Sequence, residues 1–248
     1  MKVVYSLFVA ICLLGCIKDS NAESLFNMPI KNIFKNENSL KLALAVKEKR
    51  HVDIKKLVAT GTDVNLQGEG GFSVLMVALL RDDFKTFSLL LELGADPNLE
   101  LDNGSSVIYQ SVIFEDIKYL KKLLNEGGNP NFYNKVTKKY VLHEAIAPQK
   151  LEFVKLLVES GAELDVITGT KFTPLSIAGI SDVFDIAYYL LLNGADYSIE
   201  DNWGKTIVDT IEESFLVKEA EQYEYLSKAK QFLLKKGVVF GNAKEQSN

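Results

Sequence analysis

Cysteine is nearly absent from this 248-residue chain, and where it sits excludes more than its number does. Cys12 and Cys16 both fall in the first sixteen residues. From residue 17 onward there is no thiol, so neither a disulfide framework nor a thiolate metal site can form there. Histidine is equally scarce, with only His51 and His143. Neither has a metal-ligating residue at i+4, and no Gly-rich phosphate loop or Gly-x-Ser-x-Gly elbow occurs. A basic excess is missing too: 28 Lys and Arg stand against 33 Asp and Glu, for a net charge of −5. General affinity for nucleic acid or anionic lipid needs basic charge gathered on one face. The lysine pairs Lys55-Lys56, Lys121-Lys122, Lys138-Lys139 and Lys235-Lys236 are scattered among carboxylates and read as solvated helix faces. Carboxylate pairs such as Asp82-Asp83 and Glu212-Glu213 read as surface and helix-end charge. The chain is therefore expected to be no enzyme, with no cofactor, no metal, no nucleic acid and no small-molecule substrate.

What is present is ordinary in bulk, with 47% hydrophobic and 25% charged residues, and unusual in its arrangement. Lys2 precedes about a dozen apolar residues ending at Leu14, too short for a comfortable bilayer span and suited to a secretory signal. Leu13-Leu14-Gly15-Cys16 resembles the bacterial lipobox, in which a small residue precedes the cysteine that receives lipid. That resemblance implies a signal peptide over 1–15 and lipidation at Cys16. Ile17 in the following position implies delivery to the outer membrane. Ser20-Asn21-Ala22 offers an ordinary cleavage site instead, and initiation at Met28 would leave a cytosolic form. Residues 16–38 are expected to be an irregular tether.

The rest of the chain repeats itself. Gly61-Thr62-Asp63-Val64-Asn65 returns at Gly94, Gly127, Gly161 and Gly194, in steps of 33, 33, 34 and 33 residues. Each glycine follows an apolar stripe at i, i+3, i+4, for example Phe87/Leu90/Leu91 and Val154/Leu157/Val158. That is one buried helix face closed by a left-handed C-cap. Shorter apolar segments precede the stripes, starting after Ser73, Ser106, Tyr140 and Thr173, and three of these four starts carry a hydroxyl suited to capping a helix. The pattern resembles the ankyrin repeat, with its T-P-L-H-x-A start and G-A-D-x-N close. Thr173-Pro174-Leu175 and Leu142-His143-Glu144-Ala145 are the clearest pieces, and Val74, Val107 and Val141 depart from the proline. The resemblance implies an all-α solenoid with short hairpin-like turns. Its expected parts are an N-cap over 39–65, repeats over 66–98, 99–131, 132–165 and 166–198, a C-cap over 199–240 and a tail over 241–248. It also implies that His143 bonds between neighbouring repeats, and it places His51 where the family often has histidine.

In such a fold the turn tips and the ends of the first helices carry binding. The tips supply Glu69, Phe72, Asp102, Asn103, Lys139, Phe172, Trp203 and Lys205 as partner-binding candidates. The ends of the first helices supply Arg81, Ile113 and Phe114, along a line that continues through Ala147-Pro148 and Ile180-Ser181. Exposed aromatic side chains there would bury large area at small entropic cost. The combination of lipobox and short repeat array is similar to the immunity lipoproteins that accompany type VI secretion lipase effectors. It implies a monomeric periplasmic protein, lipid-anchored at Cys16, that occludes the active site of a lipase or phospholipase. The alternative, from a different class, is a periplasmic scaffold or chaperone supporting an envelope enzyme.

Overall fold

The computed structural model of the protein describes residues 29–114 and 116–241. The signal segment, Cys16, the cut after Ala22, Met28 and tail residues 242–248 lie outside the described residues. The chain divides into two compact units, residues 1–136 and 137–248.

The first unit contains α1 (Ile30–Ile33), α2 (Glu37–Lys47), α3 (His51–Ala59), α4 (Val74–Leu80), α5 (Phe84–Glu92), α6 (Val107–Ile113), α7 (Ile117–Asn125) and the strand β1 (Tyr133–Asn134). Helices pair as α2 with α3, α4 with α5 and α6 with α7, while α2, α4 and α6 also pack in succession. That double packing explains why Val74 to Leu79 are all buried, whereas α7 buries only Tyr119, Leu120 and Leu123. Helices α4 and α6 start without proline and rely on hydroxyls: Ser73 Oγ accepts the Met76 N–H at 3.2 Å and Ser106 Oγ that of Tyr109 at 3.3 Å. The hairpin-like turns reduce to single antiparallel bridges, Gln67 with Ser73 and Glu100 with Ser106.

Part of the expected tether is folded. Ile30, Ile33 and Phe34 are buried, and α1 packs on α2. A polar surrounding sequence hides these three apolar residues, whose spacing of three and four puts them on one helix face.

The second unit contains the strand β2 (Lys139–Tyr140), α8 (Val141–Glu144), α9 (Leu151–Glu159), α10 (Pro174–Ile180), α11 (Phe184–Leu192), α12 (Ile207–Glu213) and α13 (Tyr223–Lys235). Helix α10 packs against α8, α11 and α12, and α11 is covered by α9 and α13. Thr173 and Ser176 exchange side-chain and backbone hydrogen bonds in a full capping box, with Pro174 at the first helical position.

The five repeat glycines all have φ between 87° and 96°, so the left-handed cap expected from sequence is present at every copy. The last residue of the motif has a further task. Asn98 donates its amide to the Gly127 carbonyl at 3.0 Å and accepts the Asn129 N–H at 2.7 Å, one repeat onward. Asn65 does the same to Gly94 and Asp96. Within the second unit Asp165 accepts the Asp196 N–H at 2.9 Å.

Candidate protein-binding groove

The second unit carries a groove of about 380 Å³ between the ends of α10 and α12 and the turn Asp201–Lys205. Its making begins with Asp201. This buried carboxylate accepts the N–H groups of Trp203 and Lys205 at 2.8 and 3.1 Å, and Gly204 takes φ 69° to close the turn. A turn so fixed holds the Trp203 side chain outward, 63% exposed, although tryptophan is large and apolar. Its ring meets Phe172 edge-on, with centroids 5.1 Å apart.

Phe172 is itself anchored. Its N–H donates to Thr168 Oγ1 at 3.0 Å, and its carbonyl lies 3.2 Å from His143 Nε2. His143 Nδ1 accepts the Tyr140 N–H at 3.1 Å, so the ring is neutral and carries its proton on Nε2. Burial pushes its pKa down to about 4, against the pull of the Phe172 and Val166 carbonyls. A chain of contacts thus runs from β2 through His143 and Phe172 to Trp203.

The opposite wall is Ile180, 44% exposed, and Phe215, 98% exposed. Phe215 follows α12 where Ser214 leaves the helix with ψ 131° and turns the chain extended. Gly179 and Thr210 line the groove between α10 and α12, where a Cβ on Gly179 would come within 2.5 Å of Ile207. The rim is charged: Lys205 is paired with Glu213, whose hydrogen bond raises the lysine pKa, and Asp182 also lines the groove. Among the described residues no group of His, Cys, Asp and Glu could hold a metal. The arrangement offers aromatic and aliphatic surface with a charged edge, which suits a protein side chain entering from outside.

Of the residues expected to bind a partner, the second unit brings Phe172, Trp203 and Lys205 together here. Lys139 stands apart, 3.4 Å from Glu144. The first unit presents Arg81 and Asp102 exposed, with Asn103, Ile113 and Phe114 half-buried. Glu69 is exposed and paired with Lys35 at 2.8 Å, which holds its carboxyl below the usual range. Phe72 is a correction: it is buried, not an exposed tip. Gly70 and Gly71 take φ 73° and 75°, and the tight turn folds the ring against Gly70. Ile180 lay on the projected line but Phe215 escaped notice, since a phenylalanine after a helix gives no sign of its exposure. His51 is structural: its Nε2 lies 2.9 Å from the buried Thr86 hydroxyl, which donates to Asp83 at 2.6 Å.

Comparison with known proteins agrees with this architecture. The family model described as ankyrin repeats (3 copies) matches residues 108–201. Protein phosphatase 1 regulatory subunit 27 from Mus musculus is 42% identical over 74 residues, and that from Homo sapiens 39%. Those stretches are 30% of this chain and 48% of each relative, so the match spans about half the length of the curated relatives. Among solved structures, the ankyrin repeat protein EF0377 superposes with a TM-score of 0.62 at 25% identity, covering 79% of this chain and 98% of its own. An ankyrin repeat domain from Acinetobacter baumannii AYE gives 0.64 at 23% identity, over 78% and 96%. The fold is a mostly helical ankyrin-repeat fold with few, short strands. Such repeats serve protein–protein interaction, and this one is read as a binding scaffold.

Proposed function

We propose that this protein is an immunity factor that binds a cognate type VI secretion lipase or phospholipase and covers its active site. Its station is the periplasm, on a lipid anchor at Cys16, close to where such an enzyme would attack lipid. The observation that carries the reading is the groove in the second unit, with Trp203 and Phe215 standing in solvent around a charged rim. Side chains of this size and exposure are what dominate binding when a partner desolvates them. The curated relatives are, by name, regulatory subunits of an enzyme, which supports a role in attending one. The Leu13-Leu14-Gly15-Cys16 sequence supports the anchor.

The test is capture by the chain without its anchor, residues 17–248, from a lysate of its own organism, followed by co-expression with whatever lipase is recovered. Rescue of growth by the wild-type chain, lost in W203A/F215A at equal abundance, supports occlusion through the groove. Recovery of a housekeeping envelope enzyme without any toxic lipase overturns the immunity reading in favour of a scaffold.

A further inference from the structure

The last helix ends on a surface that the groove does not use. From Tyr225 to Gly241 the chain has four lysines, Lys228, Lys230, Lys235 and Lys236, and no acidic residue, against a whole-chain charge of −5. Leu226, Ala229 and Leu233 form the buried side of α13, which packs on α11. The rest of its circumference is half-buried or exposed, and it is not wholly polar. Leu234 is 50% exposed beside Lys235 and Lys236, and Val239 is 78% exposed just after the closing Gly237. Aromatic rings accompany the charges: Lys230 Nζ lies 4.8 Å from the Phe240 ring centroid and Lys236 Nζ 5.5 Å from that of Phe232.

Lysines in a last turn favour the helix dipole, which accounts for Lys235 and Lys236 on their own. It does not account for apolar side chains set between and beside them. Nearby carboxylates are few: Glu224 is paired with Lys228 at 2.6 Å, and Glu212 accepts the Gly241 N–H. Among the described residues Lys230, Lys235 and Lys236 enter no ion pair.

We propose that this end of α13 docks on an anionic lipid surface. Leu234 and Val239 enter the boundary between headgroups and acyl chains. The lysine stems lie along that boundary with their ammonium groups at lipid phosphates, and Phe232 and Phe240 sit at headgroup level. Charge complementarity points to this occupant: lysines with Leu234 and Val239 beside them match a surface that is anionic at its headgroups and apolar just beneath. The surface works independently of lipidation at Cys16 and of any partner in the groove, and it qualifies the reading of Lys235-Lys236 as a merely solvated pair.

The experiment is co-sedimentation of the full chain with vesicles of phosphatidylcholine alone or mixed with phosphatidylglycerol. Residues 1–28 are identical in every variant, so differences between variants report the patch. The wild-type chain is expected to prefer the anionic vesicles and to lose that preference in high salt. K235E/K236E should lower partition onto anionic vesicles about thirtyfold or more, leaving neutral vesicles unaffected. L234S/V239S should also weaken anionic binding severalfold. No preference of the wild-type chain for anionic lipid would overturn the proposal, as would retention of that preference in K235E/K236E. Wild-type affinity in L234S/V239S would equally overturn it. If the charge reversal fails to fold by circular dichroism, K230Q/K235Q/K236Q must show the same loss.

Discussion

Acid should weaken the second unit through one residue, His143. Its folded pKa is about 4 against an ordinary 6.5, because burial disfavours the imidazolium and Nδ1 is already engaged by the Tyr140 N–H. The folded value lies below the unfolded one, so the unfolded chain takes up the proton first as pH falls. Stability is complete above about pH 6.5, declines between there and about pH 4, and levels off below. The full gap corresponds to about 3 kcal/mol, and about 2 kcal/mol of it is lost by pH 5. Carboxylates whose folded pKa is lowered, such as Asp83 and Asp209, have the same sign in a lower window. Their contribution is present above the unfolded carboxylate value and lost as pH falls through the folded one, so most of it goes at lower pH.

The chain contains its own reporter. Trp203, the single tryptophan, touches Phe172, whose carbonyl His143 holds. Urea unfolding followed by its fluorescence at pH 7.5, 6.5, 5.5 and 5.0 reads the second unit directly. The expected result is a midpoint that falls steadily in the wild-type chain. His143→Gln keeps a donor for Phe172 and has no titration, so its midpoint should stay nearly level over the same interval. Parallel pH dependence in the two chains would refute the assignment, because the slope would then belong to other groups.

Three further outcomes follow from the same geometry. Asn98→Ala removes a donor to Gly127 and an acceptor for Asn129, and should cost about 1–3 kcal/mol of first-unit stability by circular dichroism; Asn98→Asp should recover part by keeping the acceptor. Lys171→Gly should stabilise by about 0.5–1 kcal/mol in thermal melts, since Lys171 holds φ 61° where the corresponding tip residues Gly71, Gly104 and Gly204 are glycine. Phe215→Ala should leave the melting temperature within about a degree, its ring being almost wholly in solvent, while weakening partner binding by about 2 kcal/mol or more in calorimetry.

The period of 33 residues was legible because the same residue type recurs where the backbone has the same need. Glycine after each second helix is the clearest case, and each of those five glycines has the positive φ that only glycine adopts freely. Where the backbone need recurs but the residue does not, the sequence is silent. Lys49, Asp82, Gln149 and Asp182 all take φ between 50° and 65° in the turns between successive helices, and no shared residue type announces it. The brackets made by Asn65 and Asn98 were in view as part of a motif, yet a motif does not name partners 29 and 31 residues away.

The candidate site was half legible for the complementary reason. A repeat is recognised by what each copy keeps, and a binding surface is made from what each copy changes. Trp203 stood out because other tips have no tryptophan; Phe172 was found by register, and Phe72 at the corresponding tip was misplaced by the same argument. The difference between those two phenylalanines is local. Two glycines precede Phe72 and let the turn fold its ring inward, whereas Thr170 and Lys171 precede Phe172 and Thr168 ties its N–H at the surface. Phe215 falls outside the period, beyond the last regular repeat, so no register could project it. The period therefore locates the scaffold, and the groove has to be sought where the period is broken: at a substituted tip, and at the point where α12 ends and the chain leaves the repeat.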